Sequence, residues 1–166
     1  MCRAYSRQLS ALKPQLDANN VRMIGIGLEE LGVEEFVEGK FFDGELYIDM
    51  KKESFKTLNF RRYNIFTVIK AIFTDPAKKL LAWANNENIK GNMSGDGFQN
   101  GGTLIVQAGG TKQLLFYKQE DAAQHVPLED VLKALGIEEK APKAEGASSG
   151  QKEVVCEEDV CKIVKK

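Results

Sequence analysis

The sequence is short of the residues from which most cofactor and metal sites are built. It has one histidine, one tryptophan and three cysteines in 166 residues. His125 has no carboxylate or cysteine at a telling spacing, so a zinc centre or a Ser-His-Asp triad has too little material. We read it as a surface residue ahead of the last helix, and we expect no metal. Cys2, Cys156 and Cys161 are an odd, scattered set, which excludes a secreted disulfide framework and fits a reducing compartment with working thiols. Charge of one sign is also lacking: the net charge is −1, with no basic cluster for nucleic acid or a membrane surface. No apolar run approaches the ~18 residues that span a bilayer, and the N-terminus has no signal-peptide pattern. The expected location is the cytosol.

Aromatic residues are absent after Ile137. Residues 138–166 are charged and rich in small side chains, and that composition predicts a disordered charged tail. Residues 1–137 are then a single domain.

Within that domain helix and strand signals alternate. Tyr5, Leu9, Leu12 and Leu16 fall on one helical face. Pro14 interrupts that pattern and predicts a kink or a tightened turn. Strands are predicted at 21–28, 45–49, 103–107 and 113–119, the last two joined through Gly109-Gly110. Short helices are predicted at 33–39 and 52–60, and a longer one over 65–85, broken at Asp75-Pro76. A final helix lies at 126–135, with Pro127 near its start and Gly136 at its end. This order predicts one mixed sheet with helices on both faces.

Two glycine motifs fail on inspection. Gly25-Ile26-Gly27 begins a dinucleotide pattern, but Glu30 fills its third glycine position and would repel a pyrophosphate. In GNMSGDGFQNGG (91–102), Asn92, Ser94, Asp96 and Gly97 imitate half a calcium loop. Position twelve is Thr103, where a bidentate Glu is required. Gly97 and Gly102 have P-loop spacing, but Thr103 replaces the lysine. The segment is either a turn into the next strand or the lining of a cleft. Trp83 reads as packing.

Cys2 stands at the start of the first helix. There the helix dipole and free N–H groups favour a thiolate, and Arg3 would add to the effect. A chance residue at a frayed helix end is the bland alternative.

CRAYSRQLSALKPQLDANNVRMIGIG, FFDGELYID, FRRYN, GNMSGDGFQNGG and HVPLEDVLKALGI together resemble the peroxiredoxin-like 2 family over residues 2–137. The resemblance implies an α/β thioredoxin-like fold, a mixed sheet with flanking helices. It implies a Cys-x-x-Cys pair in which Cys2 is the second cysteine; the first strand or strands and the first cysteine would lie ahead of Met1. It further implies an oxidoreductase that reduces the endoperoxide of prostaglandin H, or of its ethanolamide, to the F-series product. No cofactor would be bound, and electrons would come from NADPH through thioredoxin. Cys2 is then the candidate catalytic residue. Phe60, Tyr63, Phe66 and Phe98, with Gly101 and Gly102, are candidates to line the lipid site, core packing being the alternative for each. In place of the cis-proline of ordinary thioredoxins, the two glycines would leave room for a bulky lipid. A non-catalytic thioredoxin-like module and a general peroxide-reducing antioxidant protein are the competing functions.

Overall fold

The computed structural model describes residues 2–91, 95–120, 124–139, 141, 152–157 and 160–165. The first predicted helix is two helices, α1 (Cys2–Ser10) and α2 (Lys13–Ala18). Pro14 sits in the first turn of α2, where its missing N–H leaves no broken bond. The tightened turn is present just before it: Ala11 N donates to Gln8 O (3.1 Å) and Leu12 N to Leu9 O (3.0 Å). Chain direction therefore changes without losing the apolar stripe. Leu12 and Leu16 are buried in the main core, with Tyr5 and Leu9 packed against it.

β1 (Ile24–Gly27) pairs in parallel with β2 (Glu45–Asp49), Ile24 opposite Glu45 and Gly27 opposite Ile48. α3 (Val33–Glu38) makes the crossover between them. The Ser10 hydroxyl ties α1 to this unit by accepting from Asp43 N (2.9 Å) while donating to Ser6 O (2.8 Å). α4 (Glu53–Thr57), α5 (Ile65–Ile72) and α6 (Asp75–Asn86) follow. The break between α5 and α6 falls just before Asp75-Pro76, with Thr74 in an extended conformation as N-cap. β3 (Gly102–Val106) and β4 (Gln113–Lys118) form the expected antiparallel hairpin. Gly109 and Gly110 supply the positive φ its turn requires, +85° and +71°. α7 (Leu128–Ala134) closes the core through Val131 and Leu132, and Gly136 (φ +72°) ends it.

The fold class is α/β of thioredoxin-like type, but the predicted single sheet is replaced by two. β3 and β4 form a sheet of their own. Among the described residues, the second edges of β1 and β3 pair with no strand. Ile24 and Ile26 on β1, and Leu104 and Val106 on β3, are each between 41 and 50% exposed. Apolar strand residues left this open on an unpaired edge favour pairing with a further strand.

β5 (Lys152–Glu157) and β6 (Val160–Lys165) form a hairpin whose second strand pairs antiparallel with β2. Val154, Val155, Val160, Ile163 and Val164 are β-branched. Average composition, dominated by charge, hides such local strand preference.

Candidate functional site

Cys2 is exposed and is the first residue of α1. The adjoining Arg3 is committed elsewhere. Its Nη1 donates to Glu35 Oε1 (2.8 Å) and to Lys90 O (3.2 Å), and its guanidinium lies 5.1 Å from the Phe41 ring centroid. These contacts pin the thiol-bearing end of α1 to α3 and to the head of the glycine segment. The thiol stays at the surface because the next inward-facing residue, Ala4, carries the packing against Leu80 and Ala84 of α6.

The structure gathers Phe60, Tyr63, Phe98, Gly101 and Gly102 into one region. Tyr63 N donates to Phe98 O (2.6 Å), and Tyr63 Oη to Gln119 O (3.3 Å). Phe60 packs between Phe55 and Phe116, with centroids 5.8 and 6.1 Å away. A methyl added at Gly102 would lie 2.1 Å from Tyr117 O and 2.9 Å from the Phe60 ring. Gly102 is thus a glycine because strand β4 and Phe60 already fill its side-chain space. Gly101 is roomier, its nearest neighbour being Gln119 Oε1 at 3.5 Å. Phe66 is 72% exposed on α5, outside this cluster.

Asp96 clamps the glycine segment. Arg62 holds it with two N–H groups, Nη2 to Oδ1 at 3.0 Å, and Lys52 Nζ reaches Oδ2 at 3.2 Å. Its own N–H donates to Glu29 Oε1 (2.7 Å), and its Oδ1 accepts from Phe98 N (3.2 Å). Burial would raise this carboxyl, but the Arg62, Lys52 and Phe98 hydrogen bonds prevail and hold it below the usual carboxylate range. Asp96 therefore serves as an anchor for the loop. Asn92 and Ser94, which the calcium-loop comparison also uses, lie outside the described residues. Among the described residues no three His, Cys, Asp or Glu side chains converge as metal ligands.

Gln119, which no sequence motif singles out, joins this cluster to α1. Its Oε1 accepts from Gly101 N (3.0 Å), and its backbone N donates to Gly101 O (3.0 Å). Its Nε2 donates to Gln124 O (3.1 Å) and meets His125 Nδ1 at 2.8 Å. Those partners fix the amide orientation, so Nδ1 is the acceptor and neutral His125 carries its proton on Nε2. His125 is not the surface residue expected of it. It is half-buried, stacked on Tyr5 with ring centroids 4.1 Å apart. The Tyr5 hydroxyl donates to Val126 O at 2.9 Å. Burial, with Tyr117 nearby, pushes the Tyr5 pKa far above its ordinary value against a smaller opposing effect of the Thr103 side chain.

Beside this stack runs a groove of about 390 Å³ between α1, α6 and the β4–α7 connection. Tyr5, Trp83, Tyr117, His125 and Leu128 line it, with Lys79 and Gln8 among its polar groups. Sequence reading missed it because its walls come from α1, α6 and the β4–α7 connection, segments remote from one another along the chain. Among the described residues no helix is long and apolar enough to cross a membrane.

A family model described as AhpC/TSA antioxidant enzyme matches residues 8–121, a span that begins after Cys2. A prostamide/prostaglandin F synthase of Xenopus tropicalis is 41% identical over 161 residues, covering 97% of this chain and 77% of the relative. One of Danio rerio is 42% identical with the same coverage. One of Homo sapiens is 42% identical over 137 residues, 82% of this chain and 69% of the relative. No solved structure matches the chain.

Proposed function

We propose, for a chain that belongs to the AhpC/TSA antioxidant enzyme family of oxidoreductases, that it is a thiol-dependent reductase of a lipid endoperoxide. The substrate is prostaglandin H or its ethanolamide, and the product is the F-series diol. The observation that carries this reading is the placement of Cys2. It is an exposed thiol at the first residue of a helix whose next turn, at Tyr5, forms the wall of an aromatic groove. The names of the relatives support the choice of substrate.

The chemistry needs two thiols. A thiolate attacks one endoperoxide oxygen. The O–O bond breaks, an S–O bond forms, and the other oxygen leaves as an alkoxide that takes a proton. A second thiolate then attacks the sulfur, expelling the second alkoxide, which is also protonated. The two thiols have become a disulfide and the endoperoxide two hydroxyls, a balanced two-electron exchange. Thioredoxin reduces the disulfide, drawing on NADPH, and no bound cofactor is required. On this reading Cys2 is the resolving thiol, and the attacking thiol stands three residues N-terminal to it. Phe60, Tyr63, Phe98, Gly101 and Gly102 remain the candidates drawn from sequence to meet the ring end of the lipid; none of them lines the groove beside Tyr5. The reaction belongs in the cytosol, where thioredoxin and NADPH are available.

A broader reading, reduction of hydroperoxides in general, is favoured by the description of the matching family model. With a Cys-x-x supplied ahead of Cys2, rates on prostaglandin H, its ethanolamide, hydrogen peroxide and a fatty-acid hydroperoxide, each coupled to thioredoxin and NADPH, separate the two. Rates on the endoperoxides well above those on the hydroperoxides support the first reading; the reverse order supports the second.

A further inference from the structure

We propose that the groove between α1, α6 and the β4–α7 connection binds a long-chain amphiphile with a terminal carboxylate, the carboxylate at Lys79 and the chain across Trp83, Tyr117 and Leu128. The choice of ligand class rests on the lipid-endoperoxide reading above. The groove itself rests on geometry.

Its size, about 390 Å³, lies within the range of small-molecule sites. Its floor is aromatic and firmly held. Tyr5 is fixed on one face by His125 and at its hydroxyl by Val126 O, so its ring is presented to the groove in one orientation. Its hydroxyl stays neutral, which spares an apolar chain from meeting a charge. Trp83 and Tyr117 extend that surface.

Lys79 gives the groove its polarity. Its neighbour Lys78 lies 3.9 Å from Asp75; among the described residues Lys79 has no carboxylate partner. Lysine can lay its methylene stem along an apolar wall while its ammonium faces water. A carboxylate is the complementary group; a neutral ethanolamide is not. Position links the groove to the thiol. Tyr5 and Gln8 follow Cys2 by three and six residues on α1, rises of about 4.5 and 9 Å along the helix. Cys2 itself does not line the groove; it lies about one helical turn before Tyr5 on α1.

Trp83 is the sole tryptophan of the sequence, so fluorescence excited selectively at tryptophan reports on this groove. The probes are arachidonic acid and its ethanolamide, below micellar concentration and lacking the reactive O–O bond. The acid should shift Trp83 emission saturably and bind about two- to fivefold more tightly than the ethanolamide. Lys79→Gln and high salt should each remove that difference and leave ethanolamide binding unchanged. Gln8→Phe, which fills the groove and keeps Lys79, should abolish the response to both, with far-UV circular dichroism unchanged. No saturable emission change, equal affinity for acid and amide, or acid binding indifferent to Lys79→Gln would overturn the proposal. Binding without endoperoxide turnover, in a chain extended by a strand that ends in Cys-x-x immediately ahead of Cys2, would sink the catalytic reading alone; turnover by that extended chain without a Trp83 response would sink the groove alone.

Discussion

Tyr5 and His125 lie 120 residues apart in sequence, yet their rings stack with planes only 10° from parallel and centroids 4.1 Å apart. This contact joins the helix that begins at Cys2 to the segment that leads into α7. Through Gln119 it reaches Gly101 as well. The thiol end and the glycine segment are therefore mechanically connected. Tyr5→Phe keeps the stack and deletes the hydroxyl bond to Val126 O; it should lower unfolding stability by about 1 kcal/mol. His125→Ala removes the stack and the Gln119 contact together and should cost more. Urea midpoints compare them.

Tyr5 also contributes to the alkaline fall in stability. Burial, aided by Tyr117, raises its folded-state pKa above the unfolded value of 10.0. The neutral phenol is thus bound more tightly by the folded protein. Its contribution is complete below pH 10 and is lost as pH rises beyond that value. Stability of the parent should fall more steeply above pH 10 than that of Tyr5→Phe. Parallel slopes for the two proteins would contradict this assignment.

Asp96 has the opposite sign. Its folded-state pKa is lower than the ordinary 3.8, because the Arg62, Lys52 and Phe98 hydrogen bonds outweigh the opposing effect of burial. Its contribution is present above pH 3.8 and is lost as pH falls through the folded-state pKa. Asp96→Asn should destabilise by about 1 kcal/mol near neutrality, Arg62 being largely exposed. In the acid range the variant and the parent should converge. Denaturant titrations at several pH values read this directly.

Neighbouring glycines should respond differently to one methyl. Gly102→Ala puts a carbon 2.1 Å from Tyr117 O, so the β3–β4 pair must move, at a cost of about 2 kcal/mol or more. Gly101→Ala meets only Gln119 Oε1 at 3.5 Å and should be tolerated. Equal midpoints for the two variants would refute the packing role of Gly102.

What was legible in the sequence was local. The Tyr5–Leu9–Leu12–Leu16 stripe, the Gly109-Gly110 turn and the Gly136 stop each need only neighbouring residues, and each stands as read. His125, Gln119 and the groove were not legible, because their meaning comes from partners on distant segments. Element order gives parallel or antiparallel sense but cannot show that, among the described residues, β1 and β3 lack a common neighbour. In the β5–β6 segment flanking charges dominate the average composition, while the adjacent β-branched pairs Val154-Val155 and Ile163-Val164 favour strands. Cys2 is singled out in the sequence by its position at a helix start, a position the structure keeps; Arg3, expected as its electrostatic helper, is held by Glu35 and Lys90.

The most direct measurement is NADPH oxidation coupled through thioredoxin reductase and thioredoxin, with prostaglandin H as substrate. It should compare this chain with a version extended by a strand that ends in Cys-x-x immediately ahead of Cys2. Turnover should be low for the 166-residue chain and high for the extended one. Cys2→Ser in the extended protein should abolish recycling while permitting a single stoichiometric attack. Full turnover by the 166-residue chain, or turnover in the extended protein that survives Cys2→Ser, would contradict the role given to Cys2.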